Sequence, residues 1–284
     1  METSVILLVL AASGLHATWN FAARRVKGEL VVFWVSFLLA GAAFAPAAIL
    51  WALWDEEGGG GLFSWQHVAA TSLLHAVYFC LVAKAYEKGE ISLVYPVARG
   101  TGVAGTAVIA MCLGIEEVSP QAWAGIAGVC AGAMLLGTDR FVLQNRLHAL
   151  RAALLVGASI AGYSVVDKLG VGRSHPASYI CGMFLGGAAL MTPYVLLHCK
   201  GRIVTTCRTH WKYVLGIGPA ALVSYVTILF AFRVGHVSHI VAFREVSVAF
   251  GAILGFVFLR ERFTGRKALG VAAIVAGLIV IAVV

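Results

Sequence analysis

The sequence predicts an all-α integral membrane protein: ten transmembrane helices in two inverted five-helix repeats around a central cavity. Three observations carry this. Hydrophobic residues make up 61% of the 284 residues and charged ones 12%, with mean hydropathy +0.91; soluble domains are nearer half apolar and a quarter charged. Apolar runs long enough to cross about 30 Å of hydrocarbon recur along the whole chain. The second half repeats the order of features in the first at a nearly constant offset.

Taken in order, the spans are 4–23, 30–54, 68–87, 91–114, 121–138, 152–172, 177–198, 213–233, 237–259 and 267–284. The first is long enough to cross and ends in Arg24 and Arg25, so it reads as a retained helix, not a cleaved leader. The connections are too short for a soluble domain. The six cysteines are scattered without a Cys-x-x-Cys. Those inside apolar runs act as small hydrophobes, so neither a disulfide framework nor a metal site is expected.

The repeat rests on ordered matches. "LHATWNFAARR" (15–25) aligns with "GYSVVDKLGVG" (162–172) at offset 147, placing Asn20 on Asp167 and His16 on Tyr163, and Pro46 falls on Pro193 at the same offset. "SWQHV" (64–68) falls on "HWKYV" (210–214), and "KGEISLVYPVARGTGVAG" (88–105) on "VGHVSHIVAFREVSVAFG" (234–251), both at offset 146. The units are residues 1–142 and 147–284. Five spans per unit is odd, so the second unit enters the membrane from the opposite side. Charge agrees. The odd-numbered connections carry fifteen Lys and Arg, the even-numbered ones two, Arg173 and Arg233. The positive-inside rule then puts the odd connections in the cytoplasm and both termini outside. The net charge of +8 therefore reports orientation in a bilayer, and nucleic acid is not an expected partner.

"LHATWN", "YPVARGTG" (95–102), "DKLGV" (167–171) and "FREVSVAFGAILGFVFLRERFTGRKALGVAAIVAGL" (243–278) resemble the EamA branch of the drug/metabolite transporter superfamily. The resemblance covers the whole chain in two five-helix units. It implies ten helices, a central cavity between the repeats and movement of small metabolites, often export, here across a bacterial inner membrane.

The polar residues inside the spans are the candidate site. In the fourth span Ser92, Tyr95, Arg99, Gly102 and Thr106 follow steps of 3, 4, 3 and 4, a single stripe on an apolar helix. Pro96 lies in it and predicts either a broken helix that exposes backbone to cargo or a kinked packing helix. "GTGVAG" (100–105) matches a dinucleotide fingerprint in letters only; that motif needs a strand and a βαβ unit. In the first span His16 and Asn20 are one turn apart, flanked by Trp19. Tyr163 and Asp167 are their counterparts, with Lys168 placed to pair with Asp167 or to snorkel. His75 is a lesser candidate of the same kind. Gly251/Gly255, Gly128/Gly132 and Gly182/Gly186 have the small-xxx-small spacing of close helix packing. No nucleophile with a base and no H-E-x-x-H set is present, so neither enzyme activity nor a cofactor is expected.

Arg244 and Glu245 sit well inside the ninth span, where charge is expensive. Arg99 and Glu245 are each eight residues into spans that start on opposite faces, which puts them within about 6 Å of one level. They are also repeat equivalents. The expectation is that Arg99, Arg244 and Glu245 line one cavity, with His16, Trp19, Asn20, Tyr95 and Tyr163 as further binding residues for an anionic or zwitterionic metabolite. Glu245 and Asp167 are the candidate proton-coupling carboxyls. The competing expectations are a channel or accessory membrane component in which the cluster is structural. Ten helices suffice for a complete carrier, so a monomer is expected.

Overall fold

Lipid offers no hydrogen bonds, so an apolar run that crosses it must close its own backbone bonds, and the helix does this within one segment. The computed structural model describes residues 2–26, 29–54, 64–87, 91–137, 146–259 and 264–284, and no strand occurs among them. The helices are α1 (Thr3–Arg25), α2 (Leu30–Trp54), α3 (Trp65–Glu87), α4 (Ile91–Cys112), α5 (Pro120–Gly137), α6 (Arg146–Val171), α7 (Pro176–His198), α8 (Ile203–Thr209), α9 (Trp211–Val234), α10 (Val237–Phe243), α11 (Val246–Leu259) and α12 (Gly265–Val283).

Seven of these (α1, α2, α3, α6, α7, α9 and α12) are long and apolar enough to cross a membrane, and α4 and α5 carry the shorter apolar stretches Val97–Cys112 and Pro120–Leu136. Two features differ from the sequence expectation. The run 237–259 is divided into α10 and α11, and the connection after α7 folds into a 3-10 turn (Lys200–Arg202) followed by α8. The outward faces are apolar: Leu7, Ile49, Leu154, Leu197 and Val283 are all exposed. Such a surface suits hydrocarbon and not water.

Ends are fixed by local chemistry. Pro176 opens α7, and the His175 ring accepts from the Ala177 amide at 3.2 Å. Lys168 does not pair with Asp167. Its Nζ donates to the carbonyls of Phe232 and Gly235 at the C-terminal end of α9, where the helix leaves carbonyls unpaired and a cation is favoured.

The bundle is built from a few long contacts: α4 lies along α6, α5 along α12, α1 along α9, α2 along α7, and α3 along both α6 and α7. The α5–α12 pair packs backbone to backbone. A Cβ at Gly132 would meet the Gly270 carbonyl at 2.6 Å, and one at Gly277 the Gly125 carbonyl at 2.5 Å, so these backbones touch only because both lack side chains. Gly251 does not follow suit. A Cβ there would meet nothing within 4 Å; it borders a crevice, so its spacing is not that of a packing contact.

Candidate functional site

The site begins at the interruption between α10 and α11. The Glu245 amide donates to Ala242 O at 3.0 Å, Ser247 to Arg244 O at 3.0 Å and Val248 to Glu245 O at 2.9 Å. These bonds close over three residues, not four, so the helix tightens for one turn and Arg244 and Glu245 sit at its corner. Upstream, Glu116 Oε1 accepts from the Ser238 amide at 3.0 Å, which anchors the start of α10. The sequence expectation of a break at Pro96 is corrected: α4 is continuous through that residue. Pro96 stands early in α4, and the missing N–H costs a single bond.

Arg99 reaches across from α4 to this corner. Its Nε donates to Glu245 Oε2 at 3.0 Å and its Nη2 lies 3.0 Å from Oε1, a two-pronged fork; Nη2 also donates to Ser247 Oγ at 3.2 Å. Arg99 and Glu245 are 3% and 2% exposed. Both charges are therefore matched, in the geometry guanidinium and carboxylate share.

Arg244 points elsewhere. Its Cζ lies 5.3 Å above the centre of the Tyr225 ring, and its Nη1 is buried without a hydrogen-bond partner. The side chain forms part of the wall of a cavity with about 580 Å3 of empty space, mouth included. From α1 come His16 and Trp19, whose rings meet edge-on at 4.9 Å. From α3 comes His75, stacked on Tyr163 of α6 at 4.2 Å and tied through Nδ1 to Thr71 Oγ1 at 3.0 Å. Phe37, Phe79 and Phe184 close the apolar side, with Phe37 in ring contact with both others.

Tyr225 links this wall to the layer behind it. Its hydroxyl donates to Asp167 Oδ2, while the Tyr179 hydroxyl donates to Oδ1 at 2.8 Å. Asp167 is completely buried, and its two oxygens are each occupied by a phenol. Buried carboxylates require such partners.

The residues singled out from sequence therefore separate. His16, Trp19, Tyr163 and Arg244 face the cavity. Asn20 donates Nδ2 to His16 O at 2.8 Å and borders a second crevice, of about 330 Å3, with His16, Ser247 and Gly251. Arg99 and Glu245 do not line the main cavity as expected, because the fork draws them together behind it. Asp167 meets the cavity only through Tyr225. The Tyr95 side chain lies outside the described residues.

Tyr225 and the phenylalanines escaped sequence reasoning because single aromatic residues in apolar runs look like packing. The repeat held the signal. His16 and Tyr163, and Phe37 and Phe184, are offset by 147; His75 and Ala221, and Phe79 and Tyr225, by 146. All eight line the cavity. Applying the offset to every aromatic residue would have found them.

Apolar outward faces, several membrane-length helices and a buried cation on a cavity wall together define a multi-pass membrane protein with an internal cavity. Comparison with known proteins points the same way. Residues 149–283 match the EamA-like transporter family. Over 252 residues the chain is 24% identical to the uncharacterized transporter YwfM of Bacillus subtilis (strain 168), covering 83% of this chain and 79% of that one. A solved crystal structure of a protein 19% identical shares the fold, with a TM-score of 0.76 over 99% of this chain and 96% of that chain. Residues 149–283 are thus similar to that family, and together with the YwfM likeness they support a membrane transporter of the drug/metabolite transporter kind, as the resemblance implied.

Proposed function

We propose that this protein is a secondary carrier, working as an exporter, for a small polar metabolite that is anionic or zwitterionic. It sits in a bacterial inner membrane with both termini outside and acts as a monomer. The observation that carries the reading is the buried Arg244, whose Nη1 has no partner and which faces the cavity. An uncompensated charge in a low-dielectric interior is costly. A protein keeps one when something else supplies the counter-charge.

Alternating access comes from rocking two inverted repeats, 1–142 and 147–284, about the cavity. The contact pattern supports this. If α1 to α5 correspond in order to α6, α7, α9, the α10–α11 pair and α12, then the α1–α9 contact is matched by α6–α3, the α4–α6 contact by α11–α1, and the α3–α7 contact by α9–α2; α2–α7 and α5–α12 map onto themselves. Such pseudo-symmetry with the site at the interface suits a carrier. His16, Trp19 and Tyr163 contact the cargo body, Asn20 borders its path, and Glu245 and Asp167 are the groups that exchange protons. Each reports to the cavity through one neighbour, Arg244 in sequence and Tyr225 in space.

A structural reading of the Arg99–Glu245 pair is favoured by one observation: both partners are matched without any cargo. That pair holds α4 to the broken helix, and Arg244 alone is left for binding. The test is efflux from proteoliposomes loaded with labelled organic anions or amino acids. A carrier gives saturable flux that Arg244→Gln lowers; a channel gives flux that does not saturate.

A further inference from the structure

We infer that the cargo is an organic monoanion without an amino group: a carboxylate, or a chemically similar anion, on an aromatic or branched apolar body. This rests on the carrier reading above and narrows its substrate class.

The wall of the cavity offers one full charge, and it is positive. Arg244 is 5% exposed, and Nη1 has no hydrogen-bond partner. Beneath it lies the face of Tyr225, which supports the cation from one side and leaves Nη1 for an acceptor from the cargo. A carboxylate fits that role. The rest of the wall is mostly ring faces and thioethers, including Phe37, Phe79, Phe184, Met183 and Met191. These reward an apolar body, while His16, Trp19, His75 and Tyr163 add a few uncharged polar atoms to the wall.

An amino acid would bring an ammonium within a few ångströms of its carboxylate. Among the described residues no carboxylate lines the cavity. The two nearby are already committed: Glu245 to both prongs of Arg99, and Asp167 to Tyr179 and Tyr225. The ammonium would have to enter desolvated, beside Arg244, with no anion to meet it. Both terms oppose it. The site thus rejects a zwitterion for want of a second charge, in the way a site lacking a partner rejects any buried polar group.

The test uses a matched set of small molecules. Hydrocinnamate carries the ring and the carboxylate; phenylalanine adds only the α-ammonium; phenethylamine has the ammonium without the carboxylate; propionate lacks the ring. Binding to the purified full-length protein is measured by calorimetry, and flux in proteoliposomes. Hydrocinnamate is expected to bind at least about tenfold more tightly than phenylalanine, propionate weakly and phenethylamine not at all. Arg244→Gln should weaken hydrocinnamate binding about tenfold to a hundredfold, and Arg244→Lys should keep part of it. Equal or tighter binding of phenylalanine, or no binding of hydrocinnamate, overturns the inference, and neither result depends on any variant folding. Hydrocinnamate binding without flux leaves the inference standing and sinks the carrier reading. Saturable phenylalanine flux without hydrocinnamate flux does the reverse.

Discussion

Arg99 and Arg244 are both buried guanidiniums that converge on the same corner of the ninth span. One is met by a carboxylate at two points and by a serine hydroxyl; the other lies on an aromatic face with a nitrogen unpaired. The difference separates a charge that holds the protein together from a charge that waits for a partner. A matched buried pair is at best modest in net stability, yet removing half of it is severe, because the survivor stays buried and alone. An unmatched charge already costs stability, so removing it relieves the fold and damages only what it binds.

The largest effect is expected at the pair. Glu245→Gln leaves Arg99 without its counter-charge and should cost about 3–5 kcal/mol, read as a fall in the thermal unfolding midpoint and in the yield of monodisperse protein. An unchanged midpoint would erase the distinction between the two arginines. Arg244→Gln comes next, with the opposite signature. Affinity for the anionic cargo should fall about tenfold to a hundredfold, as loss of charged hydrogen bonds implies, while the midpoint holds or rises. Tyr225→Phe sharpens the second half of the comparison. It keeps the ring beneath Arg244 but deprives Asp167 of one phenol, so about 1–3 kcal/mol of stability is lost with a smaller loss of cargo affinity than in Arg244→Gln. Ser247→Ala is the mildest. It removes one contact from Arg99 and should cost about 1 kcal/mol, leaving flux kinetics unchanged.

The spans were legible because each is a long apolar run whose backbone has a single way to be satisfied in lipid. Arg99 and Glu245 were legible as neighbours because rise per residue fixes depth, and depth plus the repeat put them at one level. What escaped is what depends on local competition. Pro96 marks a break by its chemistry, yet its place near the start of α4 made continuity cheap, and the interruption fell at Arg244 and Glu245, which carry no helix-breaking signal. Lys168 looked like a partner for its neighbour Asp167. Adjacent helix residues point about 100° apart, so one met the end of α9 and the other two phenols. Gly251 shows the limit of spacing rules, since its motif says nothing about which face meets a helix and which a crevice.

On the proposed reading Arg244, and not Arg99, takes the cargo's negative charge. The most direct measurement is an experimental structure with hydrocinnamate carrying a bromine on its ring, which locates the ring by anomalous scattering and the carboxylate by its density. The carboxylate is expected within hydrogen-bonding distance of Arg244 Nη1, the bromine among Phe37, Phe79 and Phe184, and the Arg99–Glu245 fork unchanged. A carboxylate seated on Arg99 with Glu245 displaced would contradict it.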